Sequence, residues 1–96
     1  MSDIITKAVE ALSEKIEGGF AAGVAKFVIE GEGAIVVDGD GVRAADDEAD
    51  VTLTADLETF QGMIEGEINP TAAFMQGKLS VDGDMGMAMQ LGSALA

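Results

Sequence analysis

Ninety-six residues limit this chain to one domain, 1–96, with a modest core, because a chain of this length buries only about 60 to 65% of its unfolded surface. Eighteen acidic residues against five basic give a net charge of −13, which excludes nucleic acid as a partner and leaves at most transient contact with membranes, whose anionic surfaces attract basic segments. With 48% hydrophobic residues the chain is too apolar for disorder, and without Cys, His, Tyr or Trp it has no thiolate, imidazole or phenol chemistry and no disulfide framework.

Charge and apolar content are both high, so the fold must segregate them. The acidity keeps the chain soluble; dense Asp and Glu with few lysines also fits adaptation to high salt, in which case stability rises as salt screens self-repulsion. No charged-then-apolar leader is visible, and Ser93-Ala94-Leu95-Ala96 is not the usual peroxisomal address, so a cytoplasmic location is expected.

In chain order, Ser2 or Asp3 can cap a first helix, 3–17. Ile5, Val9, Leu12 and Ile16 form its apolar face, and Gly18-Gly19 stops it. A strand at 24–29 places Ala25, Phe27 and Ile29 on one face. A second at 33–38 has Ile35 and Val37 on one face and Ala34 and Val36 on the other, the mark of a strand covered on both sides. Asp38-Gly39-Asp40-Gly41 supplies a tight hairpin turn into a short strand, 42–45. The acidic run 46–50 reads as a solvated connection.

A half-buried strand, 51–54, alternates Val51 and Leu53 with Thr52 and Thr54. Asp56 caps a second helix bearing Leu57, Phe60 and Ile64, and Gly66 ends it. Asn69 caps a further turn with Pro70 in its first position, where a missing N–H costs nothing. A last strand, 78–82, turns Leu79 and Val81 inward, and Asp84 caps a final helix, 85–95. The pattern α-β-β-β-β-α-α-β-α is that of an α+β, or mixed α/β, domain.

Catalytic signals are weak. Ser2, Ser13, Ser80 and Ser93 lack a nucleophile-elbow context and have no histidine base. Read as a calcium loop from Asp38, the sequence puts Arg43 where Gly belongs and Ala49 where Glu belongs, so a hairpin is the better reading and no metal is expected. Gly83 and Gly86 lack the Lys-Ser/Thr of a phosphate loop. No cofactor and no enzymatic activity are expected.

The most informative stretch is 69–91. It holds a capped helical turn, a glycine, a short strand, an acidic turn, and a helix apolar on every side that contains Met85, Met87 and Met89. Such a helix must be covered by protein or must itself cover something apolar, and it is too short to cross a bilayer, which takes roughly 20 residues. Methionines suit irregular, changeable contacts. Gly86 and Gly92 in its interior weaken it by about 1 kcal/mol each relative to Ala, either for close packing or to let it lift.

Asn69-Pro70, Ala73-Phe74-Met75, Gln76-Gly77-Lys78-Leu79 and Gly83-Asp84-Met85-Gly86 followed by Ala88-Met89 resemble the signature of the sterol carrier protein type 2 domains. A weaker likeness extends upstream through 50–54 and 60–66. The resemblance implies a five-stranded, mostly antiparallel mixed sheet with helices mainly on one face, and an apolar tunnel between them closed by the C-terminal helix. From the residues alone, Phe27, Ile35, Val37, Phe60, Ile64, Phe74, Met75, Leu79, Val81, Met85 and Met89 read as a packed core; the resemblance makes them the lining of a ligand cavity.

It also implies a non-catalytic lipid-binding or lipid-transfer protein holding a sterol, a fatty acid or a similar apolar molecule. Lys78 is present, but Ser80 and Gln90 stand where relatives commonly carry lysine, which points away from CoA esters and anionic phospholipids. Domains of this kind are often appended to lipid-metabolising enzymes, so such an enzyme is the partner the resemblance implies. The alternative is a protein-interaction module, a homodimer included, that docks through the apolar last helix and carries no lipid.

Overall fold

The computed structural model describes residues 3–16 and 23–95. Its elements in order are α1 (Asp3–Lys15), β1 (Ala25–Ile29), β2 (Gly33–Asp38), β3 (Gly41–Ala44), β4 (Val51–Ala55), α2 (Leu57–Glu65), α3 (Pro70–Met75), β5 (Leu79–Gly83) and α4 (Met85–Leu95). The sequence signals act where expected. Asp56 accepts from the Thr59 N–H at 2.7 Å to start α2, and Gly66 ends that helix at φ 81°, a conformation other residues adopt only with strain. The expected stop at Gly18-Gly19 and the Ser2 cap lie outside the described residues.

Boundaries move by a residue where pairing, not composition, decides. β3 begins at Gly41 because Asp38 pairs directly with it, leaving Gly39-Asp40 as a two-residue loop. β5 runs on to Gly83, which pairs with Val51; a side chain there would collide with the Asp50 carbonyl oxygen, so only glycine lets the two strands close.

The five strands form one sheet in the order β3-β2-β1-β4-β5. β1 and β4 are parallel, and every other pair is antiparallel. The register places Ala25, Phe27, Ile29, Ile35, Val37, Val51, Leu53, Ala55, Leu79 and Val81 on one face. Ile5, Ala8 and Leu12 of α1, Phe60 and Met63 of α2, Ala73 of α3 and Met87, Ala88 and Leu91 of α4 join those residues in a single core. The helices therefore cover this one face. At its centre the Phe27 and Phe60 rings meet edge to face, 5.5 Å apart at 67°.

The opposite face is covered differently. Val36 is fully buried there, paired in register with Lys26 on one side and Arg43 on the other. Long side chains can shield apolar surface with their stems and keep their charges wet. Lys26 Nζ reaches Asp46 Oδ1 at 2.8 Å, and Arg43 reaches Asp38 at 2.7 Å and Asp47 at 3.6 Å. The acidic segment between β3 and β4 is thus exposed but strapped across the helix-free face, which it must cross to travel from the sheet edge to β4.

Candidate functional site

Between β4, β5, α3 and α4 lies a groove of about 430 Å³. Leu53, Leu79 and Val81 form its floor. Pro70, Thr71, Phe74 and Met75 form one wall, and Met85, Ala88, Met89, Gly92 and Ser93 the other. Among the described residues no charged side chain lines it; its polar groups come from Asn69, Thr71 and Ser93.

Local chemistry explains each wall. Asn69 Oδ1 accepts from the N–H groups of Thr71 (2.8 Å) and Ala72 (3.3 Å), and Pro70 opens α3. Only Ala73 of this short helix is buried, which leaves Phe74 and Met75 facing out. Opposite, Asp84 Oδ1 accepts from the Met87 N–H at 3.1 Å to begin α4, while the Asp84 N–H donates to the Asp50 carbonyl at 3.1 Å and ties the helix to the start of β4.

α4 then divides its apolar surface. Met87 and Leu91 point into the core, and Met85, Ala88, Met89 and Gly92, spaced by three and four residues, run along the groove. α3 and α4 approach closely at one end, where a Cβ on Gly92 would sit 3.5 Å from Pro70 Cβ. The mouth is open: Phe74 is 41% exposed, Met85 45%, Met89 69% and Met75 80%.

Of the eleven residues proposed from the sequence, Phe74, Met75, Leu79, Val81, Met85 and Met89 come together in this groove. Phe60 and Ile64 instead line a second cavity of about 270 Å³ between α1 and α2. Phe27, Ile35 and Val37 are not in the lining of either; they are at most 1% exposed, Phe27 on β1 beside the floor residue Leu53 and Ile35 and Val37 one strand farther, on β2. Leu53, Asn69, Pro70, Thr71, Ala88, Gly92 and Ser93 also line the groove and were missing from that set. Two signals point to three of them: the alternation that puts Leu53 opposite Val81, and the helical stripe that continues from Met85 through Ala88 to Gly92.

The perturbed acids lie elsewhere. The Arg43 guanidinium bonded to Asp38 holds that carboxyl below its ordinary range, and the Thr59 backbone N–H does the same for Asp56. Both serve turns and caps. The groove itself offers apolar contact and a few neutral hydrogen-bonding groups, a chemistry for holding an oily molecule rather than transforming one.

The model of the SCP-2 sterol transfer family matches residues 6–96. The chain belongs to that family. Among SCP-2 relatives, a hydroxysteroid dehydrogenase-like protein 2 from Danio rerio is 42% identical over 82 residues, covering 77% of this chain and 20% of that protein. Sterol carrier protein 2 from Gallus gallus is 36% identical over 80 residues, covering 80% of this chain and 14% of that protein. The chain thus spans about a fifth or less of the length of these relatives. The solution structure of sterol carrier protein-2 from Aedes aegypti, in complex with palmitate, superimposes with a TM-score of 0.76 at 23% identity, covering 100% of this chain and 97% of that one. At that identity the likeness establishes the SCP-2 fold: a five-stranded mixed sheet with helices on one face.

Proposed function

We propose that this chain is a non-catalytic lipid carrier that holds a sterol, a fatty acid or a similar apolar molecule in the groove between β4, β5, α3 and α4. The observation that carries this reading is a groove of about 430 Å³ with apolar walls and, among the described residues, no charged lining, in a family described by sterol transfer. Support comes also from the Aedes aegypti protein of the same fold, which binds palmitate. The driving force is burial, worth about 0.8 kcal/mol per CH₂, so an acyl chain gains affinity with length until the groove is full. Exchange proceeds by movement of α4, whose interior contains Gly86 and Gly92 and which is held to the core mainly by Met87, Ala88 and Leu91. A lipid-metabolising enzyme is the partner this carrier would serve.

The test is thermal unfolding of delipidated protein with palmitate, with shorter fatty acids and with cholesterol. A ligand at a hundred times its dissociation constant stabilises by about 2.7 kcal/mol, which for a domain of this size raises the melting temperature by about 10 to 20 °C. Indifference to every lipid and every chain length refutes the reading. The exposed Phe74, Met75, Met85 and Met89 favour one alternative, a protein-interaction module. Native mass spectrometry separates the two: a bound lipid mass supports the carrier, and a dimer without adduct supports the module.

A further inference from the structure

All 18 acidic residues lie outside two stretches, 68–81 and 85–96, whose only ionisable side chain is Lys78. Those stretches contain α3, the start of β5 and α4, and so both walls of the groove and part of its floor. On the same side stand Phe74, Met75, Met85 and Met89, the large exposed hydrophobic residues among those described. A molecule of net charge −13 therefore has an oily side that is poor in acids, with Asp82 and Asp84 lying between the two stretches.

The size of the patch argues about its occupant. At these exposures the four side chains offer on the order of 400 to 500 Å² of apolar surface, the scale of a functional patch on a monomer. A stable protein interface takes about 800 Å² from each partner. A second copy would also bring another net charge of −13 to the contact. A bilayer needs neither the larger area nor a shaped counterpart; a few apolar side chains entering the boundary between headgroups and acyl chains are enough. Charge selects the kind of bilayer. Anionic surfaces draw polybasic segments, whereas here a single lysine faces a body carrying 18 carboxylates.

We infer that the α3–α4 lip docks on electrically neutral lipid bilayers, with Met75 and Met89 entering the membrane and the mouth of the groove opening onto its lipid. Met85 takes a smaller part, because it follows Asp84, whose carboxylate caps α4 beside it. The inference rests on the lipid-carrier reading for its purpose, since such a contact is where cargo would pass.

Flotation of the full chain with vesicles tests it. Wild-type protein floats with phosphatidylcholine vesicles at physiological ionic strength. It binds vesicles of equal parts phosphatidylcholine and phosphatidylglycerol several-fold less, and added salt narrows the gap by screening the repulsion. Met75→Glu combined with Met89→Glu lowers partition onto phosphatidylcholine by about tenfold or more, whereas Leu at both positions preserves it. Both positions are mostly exposed, so the charged pair reads the lip rather than the fold.

Absence of wild-type flotation, a preference for the anionic vesicles, or flotation unchanged by the glutamates overturns the inference. So does a dimer in sedimentation equilibrium that the glutamates dissociate, which would make a second copy the occupant. Titration of wild-type protein with a fluorescent fatty acid in the absence of vesicles reads the groove alone. Binding without flotation removes the docking surface and leaves the carrier; flotation without binding removes the carrier and leaves the docking surface.

Discussion

Replacing Gly92 by Ala should stabilise the protein, although the residue stands where two helices nearly touch. The added Cβ would lie 3.5 Å from Pro70 Cβ and 3.8 Å from Pro70 Cγ, ordinary van der Waals distances that require no movement. Alanine in a helix interior is better than glycine by about 1 kcal/mol, and the methyl gains a fraction of the roughly 0.8 kcal/mol that full burial would bring. The sum, about 1 to 1.5 kcal/mol, corresponds to a rise in melting temperature of about 5 to 10 °C for a domain this small. Gly62→Ala is the matched control. It has the same propensity gain, but its Cβ would stand 2.6 Å from Ile68 Cγ1 and 3.3 Å from Ile68 Cβ. Ile68 cannot step back freely, because its N–H donates to the Gly62 carbonyl at 3.0 Å. Overpacking of that kind costs about 1 to 3 kcal/mol, so the net change is neutral to destabilising. Thermal and urea unfolding followed by circular dichroism reads both. A less stable Gly92→Ala, or a more stable Gly62→Ala, would refute the packing geometry on which the groove's closed end is argued.

Three further outcomes follow from the placement of α4 and of the caps. Leu91→Ala, at a fully buried position, should cost about 2 to 5 kcal/mol in urea denaturation, and Met89→Ala, 69% exposed, under about 0.5; equal losses would mean that the helix does not divide its faces as described. Asp84→Ala should cost about 1 kcal/mol and Asp84→Asn much less, because asparagine also accepts from the Met87 N–H. The folded-state pKa values of Asp38 and Asp56 are depressed, so their contribution is complete above the ordinary carboxylate value of about 3.9 and is lost as pH falls through the lower folded values. Stability should therefore fall from about pH 5 downward, and Asp56→Asn, which keeps a cap that does not titrate, should make that acid limb shallower.

Much of this architecture is written locally. The caps at Asp56, Asn69 and Asp84 and the stop at Gly66 are short-range chemistry, and they appear where their side chains say. Alternation along a strand tells which face Phe27, Ile35 and Val37 occupy, and that face is the core. It does not tell how far across the sheet they stand from an opening, because strand order comes from long-range pairing. That is why these three resemble groove residues in sequence and yet lie beyond it. α4 poses the opposite difficulty. A helix apolar all round has no polar stripe to mark its outer side, so the division of Met87 and Leu91 from Met85 and Met89 emerges only from the packing. On the other face, the apolar residues on both sides of β2 mark Val36 as covered but do not say by what; its cross-strand neighbours there are Lys26 and Arg43, tied to the acidic segment by their ion pairs.

The open groove and the extreme charge have a common physical origin. An empty, sealed cavity of 430 Å³ at about 24 cal/mol per Å³ would cost about 10 kcal/mol, as much as the whole stability of an ordinary domain, typically about 5 to 15 kcal/mol. A chain of 96 residues has no margin for that. Leaving the mouth open lets water or cargo meet the walls and exchanges the void for exposed apolar surface at Phe74, Met75, Met85 and Met89. That surface would promote self-association unless long-range repulsion opposed it, and a net charge of −13 carried almost wholly outside α3 and α4 supplies the repulsion while the groove's own lining stays uncharged. On this argument neutralising the acidic body, by acid or by charge-reversing substitutions far from the groove, should make the lip adhesive while the groove keeps its shape.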